Sequence, residues 1–227
     1  IGGELVRGAM GRGPNDVQAM GNLRVGVDVA RYGNCKTVIS YRQGRVLLKQ
    51  EDMSKQSVTS VAARAKIGIE AYQQAGFQLE QIAVDAIGVG GGVADILRGW
   101  YPDKYDQHNG KVECIVEDIV VSETMNNGQD HDLRAFMYRQ MKEWLETASI
   151  PRDPALQTDL TALRYGFRGG ALLIESKDEA LKRQIKSPDY ADSLALTFAK
   201  PTVQKRPRPK NLPTRANNQY RPLRRMV

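Results

Sequence analysis

Cysteine, aromatic residues and long apolar runs are scarce in this 227-residue chain. Its two cysteines, Cys35 and Cys114, lie far apart and form no C-x-x-C pair, so neither a disulfide framework nor a zinc site is supported. No run approaches the roughly 18–20 apolar residues of a membrane span. The opening, IGGELVRGAM, has neither the basic-then-apolar pattern of a signal peptide nor an initiator Met. The sequence therefore reads as a soluble, intracellular piece of a longer chain. No G-x-x-x-x-G-K-[ST] phosphate loop occurs, and the GVGGG at 88–92 is no substitute, because Val93 stands where G-x-G-x-x-G needs its last glycine. A tight turn that lets a helix approach a sheet is expected there. With aromatics at 7% and no recognition-helix pattern, base-sequence readout is not expected.

Acid is missing altogether from Pro201 to Val227, a stretch that holds eight Lys or Arg and five of the ten prolines. The other 200 residues carry 25 basic against 26 acidic side chains, so the net charge of +7 belongs to this tail. Residues 201–227 read as a disordered basic arm. Lys205, Arg206, Arg208 and Lys210 would hold a polyanion without sequence specificity, or the arm is a solubilising terminus.

Ahead of the tail, residues 1–22 are Gly-rich and weakly patterned, as in a linker from a preceding domain. Arg24 to Ala30, Thr37 to Tyr41 and Arg45 to Gln50 read as three consecutive strands, with Gln43-Gly44 as a hairpin turn. Ser57 to Ala75 has helical periodicity and stops at Gly76. Leu79 to Val84 is strand-like, a glycine turn and short helix follow, and Val112 to Val116 reads as another strand. Asp132 to Ala148 is a strongly amphipathic helix, Ala155 to Tyr165 a further helix, and Ala171 to Ile174 a short strand. SPDYADSLALTFA at 187–199 opens with a helix-start signature, Ser187 at the N-cap and Pro188 at the first position. The order implies an α/β fold with a mixed sheet covered by helices, spanning residues 23–200.

Within this frame two acids stand alone in apolar runs: Asp28 in VGVDVA and Asp85 in IAVDAIG. A hairpin on one side of the first strand and a helical crossover on the other would set them on neighbouring strands. Two such carboxylates repel unless a cation lies between them. A third acid, Asp189 or Asp192, comes from the last helix. Asp192 is the better choice, since Asp189 in the first helical turn already has a role at the exposed backbone N–H groups. An oxygen-only set favours Mg²⁺ or Mn²⁺ over zinc, and carboxylate-held ions completed by a substrate phosphate fit two-metal phosphoryl transfer.

VGVDVARYGNCKTVI, QIAVDAIGVGGGVADIL and LLIESKDEALKRQIKSPDYADSLAL, in that order, resemble the C-terminal nuclease domain of the large terminase subunit of tailed bacteriophages, from about Leu23 to Ala199. The resemblance implies a ribonuclease H-like fold and metal-dependent cutting of concatemeric double-stranded viral DNA during genome packaging. It puts the family's aspartates at Asp28, Asp85 and Asp192. It further implies an ATPase domain in the full-length chain, a portal ring and small terminase subunit as partners, and the host bacterial cytoplasm as location. Where many relatives carry further acid after the first strand, this chain has Asn34-Cys35. Asn34 offers only a neutral oxygen, so weaker occupancy of one metal position is expected. Lys177 is placed either to meet a substrate phosphate or to stand solvated.

Three alternatives remain at this stage. Actin- or sugar-kinase-type ATPases share the core but bind nucleotide between two such domains, and this chain has residues for one. Resolvase- or transposase-type polynucleotidyl transferases are chemically nearer. A catalytically weakened DNA or portal docking module is the reading from a different class.

Overall fold

The computed structural model describes residues 1–17, 20–30, 35–106, 111–113 and 115–200. A five-stranded mixed sheet divides two hydrophobic cores. Its strands are β1 (Leu23–Asp28), β2 (Thr37–Gln43), β3 (Val46–Met53), β4 (Leu79–Asp85) and β7 (Val116–Ile119), in the order β3-β2-β1-β4-β7. β1, β2 and β3 form the expected antiparallel meander, and β4 and β7 are parallel to β1 and β4 respectively. β1 lies at the centre with all six residues buried, which suits its near-continuous apolar run.

Alternation along the strands sorts side chains between the cores. Val25, Val27, Ile39, Tyr41, Ile82 and Val84 pack beneath α2 (Val58–Gln74) and α3 (Gly90–Trp100). On the other face Ala83 and Ile119 meet α4 (Leu133–Leu145), α5 (Pro154–Ala162) and α7 (Asp189–Leu196). α7 crosses the sheet directly over β1. A Cβ built on Gly26 would lie 2.0 Å from the Ser193 carbonyl oxygen, so only glycine lets the helix come this close. The Ser40 and Ser193 hydroxyls share a hydrogen bond at this crossing. At the far end of α7, Arg42 Nε and Nη2 donate to Thr197 Oγ1 and O at 2.7 and 2.8 Å. Arg24 Nη1 donates to the Lys200 carbonyl at 2.6 Å. Cations at helix C-terminal carbonyls complement both the unpaired acceptors and the dipole.

Several elements depart from the sequence reading. Residues 3–11 are not linker: α1 (Gly3–Gly11) is a helix that buries Val6 and Ala9 against α4 and α5. Glycines hid that amphipathic pair. The strand expected at Val112 to Val116 divides, with Lys111–Glu113 (β6) pairing Lys104–Asp106 (β5) in a separate ribbon and the sheet strand starting at Val116. The helix expected to run to Tyr165 stops at Ala162. Tyr165–Arg168 (β8) then pairs with Ala171–Ile174 (β9) across a Gly169-Gly170 turn, both glycines at positive φ. That is a two-residue hairpin signal, and it outweighs the weak helical pattern before it. A short helix, α6 (Lys177–Lys182), starts from a capping box of Ser176 and Glu179, an S-x-x-E signature legible in ESKDE. α7 has Pro188 rather than Ser187 at its N-cap. The glycine turn after β4 is as expected: a Cβ on Gly90 would meet the Asp85 carbonyl at 1.7 Å. No helix among the described residues is long and apolar enough to cross a membrane.

Candidate active site

Val27 and Val84 are partners in the parallel pair β1–β4, so Asp28 and Asp85, each one residue on, end neighbouring strands at the same edge. Both point to the α7 face, Asp28 two positions after Gly26 and Asp85 two after Ala83. The N-terminal turn of α7 brings Asp189 and Asp192 to that edge. The carboxyl end of central strands is where open α/β sheets place their ligands.

Burial raises the Asp28 carboxyl well above its ordinary range, and the neighbouring charges of Asp192, Asp189 and Asp85 add to the shift while Lys177 opposes it. Burial likewise raises Asp85, against a hydrogen bond of 3.1 Å donated by the Ile87 N–H to its Oδ1. Asp192 behaves in the opposite way. Burial works against its charge, yet Arg134, Lys177 and the Tyr138 hydroxyl overcome that and hold it below the ordinary carboxylate range. Arg134 Nη2 donates to Asp192 Oδ1 at 3.1 Å, Tyr138 Oη donates to the same oxygen at 2.7 Å, and Lys177 Nζ lies 3.3 Å from Oδ2. Lys177, expected either to meet a substrate phosphate or to stand solvated, forms an ion pair with Asp192 while its side chain stays 48% exposed.

Asp189 has a separate task. Its Oδ2 accepts the Lys36 N–H at 2.7 Å, tying the start of β2 to α7. Asn34 and the four tail residues Lys205, Arg206, Arg208 and Lys210 lie outside the described residues.

Arg134, Tyr138 and Asp159 escaped the sequence reading. Arg134 and Tyr138 are four residues apart on α4, in line with the buried Met141 and Leu145, and a polar pair at the head of an apolar stripe was the available signal. Tyr138→Phe removes a buried donor from a charged acceptor. Its expected cost is about 1.5–3 kcal/mol of stability, read by urea unfolding; no loss would show that the hydroxyl is not held as described.

Asp159 on α5 accepts the Tyr190 N–H at 2.9 Å, capping α7 from outside the helix. Burial pushes its carboxyl up to about 6. Between the ordinary 3.8 and about 6 the folded state binds more protons than the unfolded one, so this group's stabilising contribution is present below that window and lost as pH rises through it. Replacing it by Asn should therefore flatten the decline of melting temperature between pH 4 and pH 7 relative to wild type. Parallel pH–stability curves for the two proteins would contradict this.

The donor set is all oxygen and suits a hard divalent cation. Among the described residues, however, no three His, Cys, Asp or Glu side chains are gathered closely enough to hold an ion. The cations of Arg134 and Lys177 stand at Asp192 instead. The aspartates suit a divalent metal in the chemistry of their donors, and Lys177 stands at Asp192 Oδ2, where an ion would compete with it.

No protein-family model matches the sequence, and no curated protein is significantly similar to it. Solved structures are similar. A lysine-to-alanine variant of the large terminase subunit fragment gp2c from bacteriophage Sf6, solved with calcium, has 18% identity and a TM-score of 0.71, covering 88% of this chain and 99% of that one. The large terminase nuclease of thermophilic phage G20c with bound magnesium has 16% identity and a TM-score of 0.55, covering 81% and 84%. The large terminase nuclease domain of Thermus phage P74-26 has 16% identity and a TM-score of 0.53, covering 78% of each chain. At these identities the likeness establishes the ribonuclease H-like fold across most of the chain.

Proposed function

We propose that this chain is a large terminase nuclease domain, a divalent-metal-dependent endonuclease that cuts concatemeric double-stranded phage DNA during packaging in the host cytoplasm. What supports the reading is that Asp28 and Asp85 end neighbouring parallel strands while Asp192, in the first turn of α7, lies in the electrostatic field of Asp28. Its structural neighbours, which are phage large terminase nucleases solved with calcium or magnesium, support it.

Asp28, Asp85 and Asp192 would hold Mg²⁺ or Mn²⁺. Two such ions, when bound, supply a water acidified for attack and a counter-charge for the leaving oxygen. The chain's own residues prepare that chemistry. Burial of Asp28 raises the energy of its bare carboxylate and so favours an incoming cation. Arg134 and Tyr138 fix Asp192 chiefly through Oδ1, and Oδ2 is shared between Arg134 Nη2 at 3.4 Å and Lys177. Released from Asp192, the Lys177 ammonium would be free to meet a substrate phosphate. The nuclease unit is residues 23–200 with α1 packed on it. Double-stranded DNA, an ATPase domain, the portal ring and the small subunit are the proposed partners, and the 201–227 arm is proposed to hold DNA through its basic residues.

The test is supercoiled plasmid with Mg²⁺ or Mn²⁺. Wild type and Asp189→Asn should nick and linearise it, whereas EDTA, Asp85→Asn or Asp192→Asn should stop the reaction. Absence of cleavage with either metal while DNA still binds would favour the docking-module alternative.

A further inference from the structure

The β8–β9 ribbon is an exposed element rooted in the acid cluster. Its Gly169-Gly170 turn has φ of +59° and +84° and so makes a compact two-residue tip without side chains. Every residue of β8 is exposed. Tyr165 and Phe167, two apart on one face of the strand, are 69% and 70% exposed, with ring centroids 6.1 Å apart in an edge-to-face pair. Their cross-strand partners Ile174 and Leu172 are half-buried, Ile174 against the α7-side core.

The ribbon's setting is basic. Residues 164–186 hold six Lys or Arg against three acids. Arg164 and Arg168 bracket the aromatic pair in the chain and are exposed, on the opposite face of the ribbon by strand alternation, and one of the three acids, Glu175, is already paired to Arg183. The root of the ribbon touches the site. Arg134 Nη1 donates to the Glu175 carbonyl at 2.9 Å while its Nη2 holds Asp192, and Lys177 follows two residues later.

Large exposed rings on one face of a narrow ribbon, with arginines on its other face, suit an opened strand that lays base faces on the rings and carries its phosphates round the ribbon's edge. Stacking supplies the ring contact, and every base has a face to offer. We infer that the β8–β9 ribbon lays Tyr165 and Phe167 against unstacked bases next to the scissile phosphate, with Arg164 and Arg168 on flanking phosphates, so that the protein favours DNA opened at the cut site. This rests on the reading that DNA occupies the acid site. A protein surface is the less favoured occupant, because the excess of Lys and Arg in the ribbon and the segment after it complements phosphate.

The experiment compares a 2-aminopurine-labelled duplex with the same sequence carrying a three-nucleotide bubble around the label, with Ca²⁺ in place of Mg²⁺. Wild type should bind the bubble about tenfold more tightly than the duplex, a preference of the size one stacked base supplies, and should quench its fluorescence. The double variant Tyr165→Leu with Phe167→Leu keeps apolar bulk but loses the rings, and it should bring the preference to within about twofold while leaving duplex affinity unchanged. Phe167→Tyr should retain it. Arg168→Ala should weaken both substrates alike and reduce the salt dependence by about one phosphate contact. Equal binding of bubble and duplex by wild type, or an undiminished preference in the double variant, overturns the inference. If wild type binds neither DNA nor cuts plasmid, the nuclease reading itself has failed; if it cuts plasmid but shows no bubble preference, only the ribbon inference falls.

Discussion

Asp28→Asn should abolish metal-dependent cleavage and, at the same time, make the metal-free protein more stable. Asp28 is 6% exposed on the central strand, in the field of three further carboxylates, and both burial and repulsion disfavour its charge. A neutral amide of the same shape relieves that cost. At pH 7 the variant should melt several degrees higher, at about 2–4 °C per kcal/mol for a domain of this size. The sign follows from linkage. A carboxyl raised in the folded state contributes stability below its ordinary value of 3.8 and loses it as pH climbs, so the variant's advantage should shrink toward acid pH. Added Mn²⁺ should close the gap from the other side, since a cation that binds only the folded wild type stabilises it by mass action. Activity should fall by more than the roughly 10–100-fold typical of an altered outer-shell partner. Wild-type cleavage rates in the variant, or a wild-type melting temperature indifferent to metal, would remove Asp28 from the site.

Gly26→Ala should be as damaging as a substitution inside the site, although no charge changes. The added carbon would lie 2.0 Å from the Ser193 carbonyl oxygen and 3.1 Å from Leu196 Cβ. A backbone oxygen in a helix has no rotamer by which to escape. Overpacking commonly costs about 1–3 kcal/mol, and a clash with backbone belongs at the top of that range, so a loss of about 3 kcal/mol is expected as a lowered urea midpoint at unchanged slope. Cleavage should fall as well, because relief of the clash lifts α7 and with it Asp192. Gly99→Ala is the control. It lies in α3 with nothing within 4 Å of the new carbon, and should be neutral or stabilising by up to about 1 kcal/mol. Equal stability of Gly26→Ala and wild type would mean that α7 does not rest on β1 at this point.

The same residues explain how far sequence reasoning reached. Asp28 and Asp85 were legible because each interrupts a valine- and isoleucine-rich run, and the meander with its crossover fixes those runs as neighbours. Asp192 was chosen by elimination and by the resemblance, and its environment was hidden, since Arg134 and Tyr138 come from a helix more than fifty residues earlier in the chain. Periodicity sees one helix at a time. β9 was read as a strand with its observed bounds, Ala171–Ile174, but its partner β8 was missed although Gly169-Gly170 announces the hairpin, because YGFR has too few apolar positions to outweigh the helix preceding it. α1 was missed because glycine dilutes its pattern, and its burial depends on α4 and α5 being present to receive Val6 and Ala9. Lys177 shows a further limit: its partner is an acid fifteen positions on, across a cap and a turn.

α7 is held at both ends, by Asp159 at its first turn and by Arg42 and Arg24 at its last carbonyls. Such a bar should open only with the whole molecule, so its amides should exchange with deuterium at the rate of global unfolding. α6 and the ribbon, short and exposed, should exchange far sooner. Asp192 would then sit on an anvil fixed between global openings, while Lys177 beside it and the rings of the ribbon rearrange many times.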